Sequence, residues 1–428
     1  MKLNYKRTIL VGFAFFLISA FWQAYDTIVP LILTNKFNMK QGYSGVIMSL
    51  DNIFAVFLLP IFGTLSDKTK TKFGKRTPYI VMGTLLASAF LIVLGYTSTL
   101  VLFILILLAC LLSMATFRSP AVALMPDVTV KPLRSKGNAI INLMGTAGGM
   151  IVLGLGIAFK TSETGKTDFA VYLISVAALM LAALVVFIFT VKEPLWSSEA
   201  EEENERLDAE NAKHAAKEQL TEHRKLTRGE LNSLVLILAS VALWYIGYNA
   251  VTSKYAVYAG EVLKVPYTVT LLVAQGAAIV SYIPVGIVAS KLGRKKTILS
   301  GVAMLAIAFG AASFMKEGVS PIVMYLLFAL AGIGWATINV NSFPMVVELA
   351  KGGDVGKYTG FYYTASMSAQ IVTPILSGFL VQALDWWIFF PYAALFVAGS
   401  FVTMFFVKHG DSKPEVQGAL ESLGGADD

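Results

Sequence analysis

The sequence predicts an all-α membrane protein in which twelve transmembrane helices form two pseudo-symmetric six-helix bundles with cytoplasmic termini. Three observations predict this fold. Hydrophobic residues make up 56% of the chain and charged residues only 14%, a balance that is not typical of soluble domains. The apolar residues are grouped in runs of the roughly 20 residues that a bilayer-spanning helix needs. Basic residues are concentrated in loops on one side of these runs.

Charge and cysteine content argue against several other classes of protein. Lysine and arginine number 34 against 27 acidic residues, but they lie in short loops between apolar runs, which argues against a nucleic-acid partner. The single cysteine, Cys110, rules out an intramolecular disulfide. The basic start of the chain resembles a signal peptide, but the apolar run behind it is too long and is interpreted as the first helix. We expect a multi-pass monomer in the lipid bilayer of the cell's inner (plasma) membrane.

Twelve apolar runs define the predicted spans. With both termini inside, 26 basic residues fall in cytoplasmic segments, seven in external loops, Lys254 among them, and one, Arg118, within a span. This bias supports an even number of spans. The spans cover about 8–35, 43–66, 78–97, 100–128, 137–159, 168–191, 230–256, 266–290, 297–315, 319–348, 357–384 and 386–407.

One long polar segment divides the chain. Residues 1–191 form the first six-helix bundle and residues 230–408 the second. Residues 192–229 are rich in alanine, glutamate, lysine and leucine, so we expect a cytoplasmic linker that is partly helical. Residues 409–428 are expected to form a flexible cytoplasmic tail.

A basic turn recurs at the same place in each half. Residues 63–79, GTLSDKTKTKFGKRTPY, follow the second span, and residues 286–297, GIVASKLGRKKT, follow the eighth. Gly63 allows two helices to approach closely, and Gly74 with Pro78 produces a tight return. Matching basic turns are typical of an internally duplicated transporter.

The inner ends of the two halves also match. Span four ends with a proline followed by Asp127, span ten with a proline followed by Glu348, and a lysine follows each acid by nine residues. These carboxylates can pair with basic loop residues in a shut inner gate, which opens when the pairs break. The alternative is a plain interfacial charge. The predicted gate residues are Asp67, Arg76, Asp127, Arg134, Lys136, Arg294, Glu348 and Lys357.

Three charged residues lie near the middle of predicted spans, where an ionised group is costly. Asp26 and Asp51 share a depth, about 7 Å and about 6 Å outward of the midpoints of their spans. Arg118 lies slightly inward on span four. Two acids and one base are neutral only if one acid takes a proton or another cation, which is the logic of a symporter. The alternative is a static salt bridge with one further carboxyl in an aqueous vestibule.

Neutral amides and aromatic rings within the spans indicate a polyhydroxyl cargo. Amides supply the paired donors and acceptors that suit sugar hydroxyls, and aromatic faces can stack on a sugar ring. The alternative is that such residues join helices or lie at the membrane interface. The predicted substrate-binding residues are Trp22, Gln23, Asp26, Asp51, Asn52, Arg118, Asn142, Tyr248, Asn249, Gln275, Trp335, Asn339 and Tyr363.

Two segments carry a resemblance to a known family. The loop SDKTKTKFGKRTPYI resembles the SD…GRRRP loop of the major facilitator superfamily, in the form used by plant sucrose/H⁺ symporters and their animal relatives. Residues 118–128, RSPAVALMPDV, resemble the span-four segment of that group. The resemblance implies that Asp127 is the proton-coupling carboxylate, which competes with its interpretation as a gate residue. The melibiose-type glycoside–pentoside–hexuronide symporters are similar across the loop and span five.

Departures from these patterns bear on the coupling ion and the cargo. The melibiose-type Na⁺ carriers have carboxylates where this chain has Ala55 and Leu59, and their span-four aspartate corresponds to Phe117 or Arg118. These differences favour H⁺ over Na⁺ as the coupling ion. The arginine that follows the span-four proline of sucrose carriers is Val122 here, which leaves the identity of the sugar open.

The sequence therefore predicts a secondary transporter, not an enzyme, that imports a neutral di- or oligosaccharide with protons by alternating access. Proton coupling is assigned to Asp26, Asp51 and Asp127. No cofactor or metal is expected, and no nucleotide-binding motif is present. The alternatives are a Na⁺-coupled glycoside symporter, an exporter or exchanger of amphipathic drugs or lipids, and a membrane receptor that transports nothing.

Overall fold

The computed structural model describes residues 3–162, 169–215, 227–318, 320–349 and 355–410. Each predicted span corresponds to an α-helix, and one more helix follows the sixth span. Two π-helical turns, Ile32–Lys36 and Ala259–Leu263, extend α1 and α8. The helices are α1 Tyr5–Leu31, α2 Gln41–Lys68, α3 Thr77–Tyr96, α4 Leu100–Asp127, α5 Arg134–Ala158, α6 Phe169–Thr190, α7 Glu193–Ala215, α8 Arg228–Tyr258, α9 Tyr267–Leu292, α10 Arg294–Ala312, α11 Pro321–Val347, α12 Val355–Leu384 and α13 Phe389–Phe405, with 3₁₀ turns at Lys131–Leu133 and Trp386–Ile388.

Eleven helices in the described part of the chain are long and apolar enough to cross a bilayer. The number is twelve if α9 is counted as one span. This helix bends by 51° between Tyr267–Tyr282 and Pro284–Leu292. A proline inside a helix lacks the N–H for the i−4 hydrogen bond and clashes with that carbonyl, so a bend at Pro284 is expected.

The two halves, α1–α6 and α8–α13, repeat the same helix packing. In the first half α1 packs on α5 and α6, α2 on α4, and α3 on α4 and α6. In the second half α8 packs on α12 and α13, α9 on α11, and α10 on α11 and α13. The internal duplication predicted from the loops is therefore present in the packing.

The halves meet through crossed pairs of helices. The second helix of each half packs against the fifth helix of the other, α2 on α12 and α9 on α5, and α1 packs on α8. The α2–α12 contact is close, because a Cβ on Gly45 would lie 1.9 Å from the Pro374 carbonyl oxygen. Small residues permit such backbone approach between helices in membranes.

The ends of the bundle differ in charge. We call the end at which α1 begins and α2 ends the basic end, since its loops carry Arg76, Lys131 and Arg294, and the opposite end the far end. Helix α7 lies at the basic end against the first half, where Trp196 is buried beneath the guanidinium of Arg7. The predicted helical linker thus includes α7, while residues 216–226 and 411–428 lie outside the described residues.

Candidate functional site

A central cavity of about 400 Å³ lies between the two halves. Helices α1 and α5 form one wall, and α8, α9 and α11 form the other. The lining residues lie close to the middle of most of these helices, at the depth where transporters of duplicated folds bind their cargo. Polar and aromatic residues among them include Ser19, Trp22, Gln23, Asp26, Thr27, Thr146, Tyr248, Asn249, Thr252, Gln275, Tyr282 and Trp335.

Two glutamines join the walls of the cavity. Gln275 Nε2 on α9 donates a hydrogen bond to Gln23 Oε1 on α1 at 2.5 Å. The Gln275 Oε1 atom is buried and accepts no hydrogen bond in the described chain. A buried amide oxygen without a donor is costly, so this atom is suited to accept a ligand hydroxyl.

Aromatic rings form a flat surface on the wall made by α8, α9 and α11. The rings of Tyr248 and Trp335 stack with centroids 3.6 Å apart and planes 3° apart. Tyr245 contacts the edge of Trp335, with a centroid distance of 5.3 Å and an angle of 86°. Asn249 Nδ2 donates to the Tyr245 carbonyl oxygen at 2.8 Å. The two ring contacts, with Tyr248 and Tyr245, hold the orientation of the Trp335 face.

Charge within the cavity is sparse. Asp26 is the only charged side chain among the lining residues that the structure describes. Asp51 and Arg118 lie behind Trp22, around a gap of about 10 Å³ that is too small for a sugar. The Arg118 guanidinium lies 5.2 Å from the centre of the Trp22 ring, and Asn52 Nδ2 donates to Asp51 Oδ1 at 2.8 Å.

The three buried charges interact without forming a contact ion pair. Asp26, Asp51 and Arg118 influence one another electrostatically, yet in the described chain no nitrogen of Arg118 lies within 4 Å of either carboxylate. The static salt bridge considered as an alternative is therefore absent from this conformation. The cluster thus contains one carboxylate more than it has guanidinium groups.

Arg76 is the centre of an ion-pair cluster at the basic end of the first half. Its Nε donates to Asp127 Oδ2 at 2.7 Å, and its terminal nitrogens bind Asp67 and Ser66. Lys75 Nζ also lies 3.3 Å from Asp127 Oδ2. Burial lowers the pKa of Arg76, but the bonds to Asp127 and Asp67 outweigh that effect and raise it overall. Arg76 therefore stays charged.

The second half has a smaller version of the cluster. Arg294 Nε lies 2.7 Å from Glu348 Oε1, although the N–H direction does not meet hydrogen-bond geometry. Arg134 Nε donates to the Thr129 carbonyl oxygen at 3.3 Å, and the Lys357 ammonium lies 5.9 Å from the Phe361 ring. Lys136 lies in the first turn of α5. The pairs involving Asp127 and Glu348 thus each join residues of a single half.

Contacts between the halves close the far end. Gly42 N donates to Gln382 Oε1 at 3.1 Å across the α2–α12 contact. The hydroxyl oxygens of Thr161 and Tyr267 lie 2.6 Å apart across the α5–α9 contact. The loop position predicted for Lys254 is wrong. The residue lies on α8 and is 1% exposed, because its side chain is buried in the contact of α8 with α2 and α12.

A duplicated helical fold with a central cavity is the architecture of a large transporter family, and a comparison of the sequence with family models identifies the same family. Residues 11–350 and 267–424 match the sequence model of the Major Facilitator Superfamily. The chain belongs to the major facilitator superfamily. This multi-pass protein is therefore a membrane transporter rather than an enzyme.

The individual members of the superfamily that were compared share less than 25% sequence identity with this chain. An uncharacterised MFS-type transporter of Methanocaldococcus jannaschii is 23% identical over 380 residues, 88% of each chain. A sucrose transport protein of Arabidopsis thaliana is 24% identical over 244 residues, 48% of this transporter and 40% of that protein. The inward-open xylose transporter XylE from E. coli superposes with a TM-score of 0.67 at 15% identity, over 98% of this chain and 99% of that one. The structural similarity supports the fold alone.

Seven of the predicted substrate-binding residues line the cavity of the transporter, and six do not. The residues in the lining are Trp22, Gln23, Asp26, Tyr248, Asn249, Gln275 and Trp335. The residues outside it are Asp51, Asn52, Arg118, Asn142, Asn339 and Tyr363. Asn142 is 5% exposed, and neither polar atom of its amide has a hydrogen-bond partner in the described chain. Tyr363 packs against Phe343 and Tyr362.

Sequence reasoning missed the small hydroxyls of the site. Ser19 and Thr27 lie one turn from Gln23 on α1, and Thr252 lies three residues from Asn249 on α8. Residues three or four apart share a helix face. A search for serine and threonine at that spacing from each predicted amide would have found them.

Sequence reasoning also missed Glu193, the first residue of α7. Its carboxylate accepts hydrogen bonds from the backbone N–H groups of Lys75, Arg76 and Thr77 at 2.8, 2.8 and 2.7 Å. The side chain is 1% exposed. A carboxylate at a helix N-terminus satisfies free N–H groups and is favoured by the helix dipole. Glu193 therefore attaches the linker to the start of α3, beside the Arg76 cluster.

Proposed function

We propose that this transporter imports a neutral di- or oligosaccharide together with protons. The observation that carries the proposal is the central cavity, which lies between the halves and is lined by amides, hydroxyls and aromatic faces with one carboxylate. Its volume of about 400 Å³ is near the lower end of the ~300–1,000 Å³ range of small-ligand sites, which favours a disaccharide over a longer chain.

Recognition in this proposal divides between the two walls. The stacked Tyr248 and Trp335 rings offer a flat face for the C–H surface of a sugar ring. Gln23 lies on the other wall and accepts a hydrogen bond from Gln275, which lies on the same wall as the rings, and both glutamines can offer amide donors and acceptors to hydroxyls. A cargo that contacts both walls gains binding energy only when the halves are closed around it, which is the requirement of alternating access.

Proton coupling is assigned first to Asp26. An ionised carboxylate inside a membrane protein is costly unless it has a partner, and Asp26 lines the cavity without a contact ion pair. Asp51, behind Trp22, is the second candidate. Asp127 binds Arg76 and lies near Lys75, which supports the latch interpretation over titration. We place the basic end in the cytoplasm of a plasma-membrane protein that acts as a monomer.

The test is sugar-dependent alkalinisation of the medium by de-energised cells that express the transporter. Proton-coupled import predicts a pH rise when the cognate disaccharide is added, and none in cells that express Asp26→Asn. An absence of any pH change with a panel of sugars, together with Na⁺-dependent uptake, would overturn the proton assignment and favour the glycoside/Na⁺ alternative.

One observation favours a second candidate, exchange of amphipathic cations. Asp26 shares the cavity with Trp22, Tyr248 and Trp335, and a carboxylate beside aromatic faces also suits an organic cation. Competition separates the two. A sugar carrier is inhibited by unlabelled disaccharide and is indifferent to a lipophilic quaternary ammonium, and the exchanger shows the reverse.

A further inference from the structure

Lys254 is a buried cation at the far-end contact between the halves. Its Nζ donates a hydrogen bond to the carbonyl oxygen of Gln41, the first residue of α2, at 3.1 Å. Gly378 on α12 leaves room for this bond, since a Cβ there would lie 3.1 Å from Nζ and 2.4 Å from the Gln41 oxygen. Lys254 therefore lies at a junction of three helices, one from the first half and two from the second.

The ammonium of Lys254 has no counter-ion in the described chain. No carboxylate oxygen lies within 4 Å of it, and the single acceptor is a neutral carbonyl for a group with three N–H donors. Carboxylates at the ends of neighbouring helices have other partners: Glu261 accepts from Trp386 Nε1 and Asp385 from Trp386 N. Closing the far end must bury this charge or remove its proton, and both cost free energy.

We propose that Lys254 biases the transport cycle against the far-closed conformation. When the halves separate, α2 moves away from α8 and α12, and the ammonium regains water. The penalty is thus present only while the far end is closed, so Lys254 promotes reopening after the cargo has left on the other side. The inference rests on the alternating access proposed above, but on neither the sugar nor the proton.

The far-end conformation can be measured with one reporter cysteine. Thr268 on α9 is 2% exposed and lies against Gly156 on α5, in the contact that does not contain Lys254. Thr268→Cys is introduced after Cys110→Ser, which removes the chain's only cysteine. The purified transporter in lipid nanodiscs is then treated with a membrane-impermeant maleimide, and the labelling rate reports how often the α5–α9 contact opens.

Two substitutions relieve the buried charge in different ways. Lys254→Met removes it and keeps the length of the side chain. Gln382→Glu supplies a carboxylate one turn from Gly378 and keeps the acceptor for Gly42 N. Each is expected to slow labelling by at least about threefold, because each stabilises the far-closed state. The double variant leaves the new carboxylate unpaired and is expected to label faster than either single variant.

Lys316→Met is the matched control, since it removes an exposed positive charge at the far end and should label at the parent rate. Labelling of Lys254→Met at the parent rate or faster would overturn the proposal, because the lysine would then be neutral to closure or tie the halves together. An additive double variant would overturn it too. Labelling needs no cargo or gradient, so these outcomes are independent of the test for sugar and proton transport.

Discussion

Asp26 is the residue on which the proposed coupling most depends. Asp26→Asn keeps the shape of the side chain and removes its charge. We expect sugar-driven alkalinisation to fall by at least about tenfold while sugar exchange between the two sides persists, since exchange needs no net proton movement. The comparison is Asp51→Asn, which lies outside the cavity. Unchanged alkalinisation in Asp26→Asn would move the coupling role to another carboxylate.

Substitutions of a second residue, Trp335, test whether the cargo is a sugar. Trp335→Ala removes one of the two stacked rings, and loss of an aromatic contact beyond its area is worth ~0.5–1.5 kcal/mol, so we expect sugar affinity to weaken by about 2- to 10-fold. Trp335→Phe should restore part of it. Sugar binding is measured by isothermal titration. Equal binding by both variants and the parent would place the cargo elsewhere.

Depth along a helix could be predicted at the residue scale, but rotation could not. The 1.5 Å rise per residue placed Asp26 and Asp51 at a shared depth, yet Asp26 lines the cavity and Asp51 lies behind Trp22. In the same way, Asn142 does not line the cavity, whereas Thr146, one turn along α5, does. Which face of α5 is turned inward depends on its packing against α1 and α9, and a single sequence does not contain that information.

At the scale of elements, α7 is held by its first residue. Glu193→Gln leaves three backbone N–H groups at the start of α3, those of Lys75, Arg76 and Thr77, facing a neutral amide. Hydrogen bonds to a charged group are worth about 1.5–3 kcal/mol, so we expect a loss of that order in stability. It is measured as a lower midpoint of thermal unfolding in detergent. Glu202→Gln, exposed on the same helix, should leave the midpoint unchanged. A stable Glu193→Gln variant would argue against the attachment.

The α2–α12 contact gives a second prediction for elements. Gly45→Ala places a Cβ 1.9 Å from the Pro374 oxygen, which real contacts do not allow, so the far end cannot close fully. We expect labelling of the Thr268→Cys reporter to rise by at least about fivefold. The matched control is Gly154→Ala on α5, where a Cβ meets no atom within 4 Å. Equal labelling in the two would mean that the contact adapts.

Helix positions followed from the sequence, whereas their attachments did not. Apolar runs marked the helices because burial in lipid demands continuous hydrophobic surface. The linker was predicted as partly helical, and α7 lies in it. Its attachment by Glu193 depends on three free N–H groups 116 to 118 residues away in sequence, and composition does not reveal such a pairing.

At the scale of the whole molecule, the prediction to be tested is that the basic end faces the cytoplasm. Lys40 at the far end and Lys72 at the basic end are both exposed, and each is replaced by cysteine in a separate variant. In intact cells an impermeant maleimide should label Lys40→Cys and spare Lys72→Cys, because the basic loops are retained in the cytoplasm. Permeabilised cells should label both. The opposite pattern would invert the proposed direction of transport.

The duplication was visible in sequence through two basic turns, but the crossed pairing of the halves was not. Loops report how consecutive helices connect, and the contacts of α2 with α12 and of α9 with α5 join segments far apart in the chain. The partners of the ion pairs were likewise only partly predictable from the sequence. Asp127 and Arg76 were correctly identified as charges that could pair, but no pattern indicated that the pair stays within one half.

The crossed contacts have a consequence for ancestry. Exchanging the halves maps the α2–α12 contact onto the α9–α5 contact, so the surface between them is self-complementary, as in a dimer with a twofold axis. A half-length chain would meet its own copy through this surface and enclose a cavity with identical walls. Asp26 and Arg118 lie in the first half and Lys254 in the second. A fused chain, unlike two identical copies, can carry a charged residue on one side of this surface only.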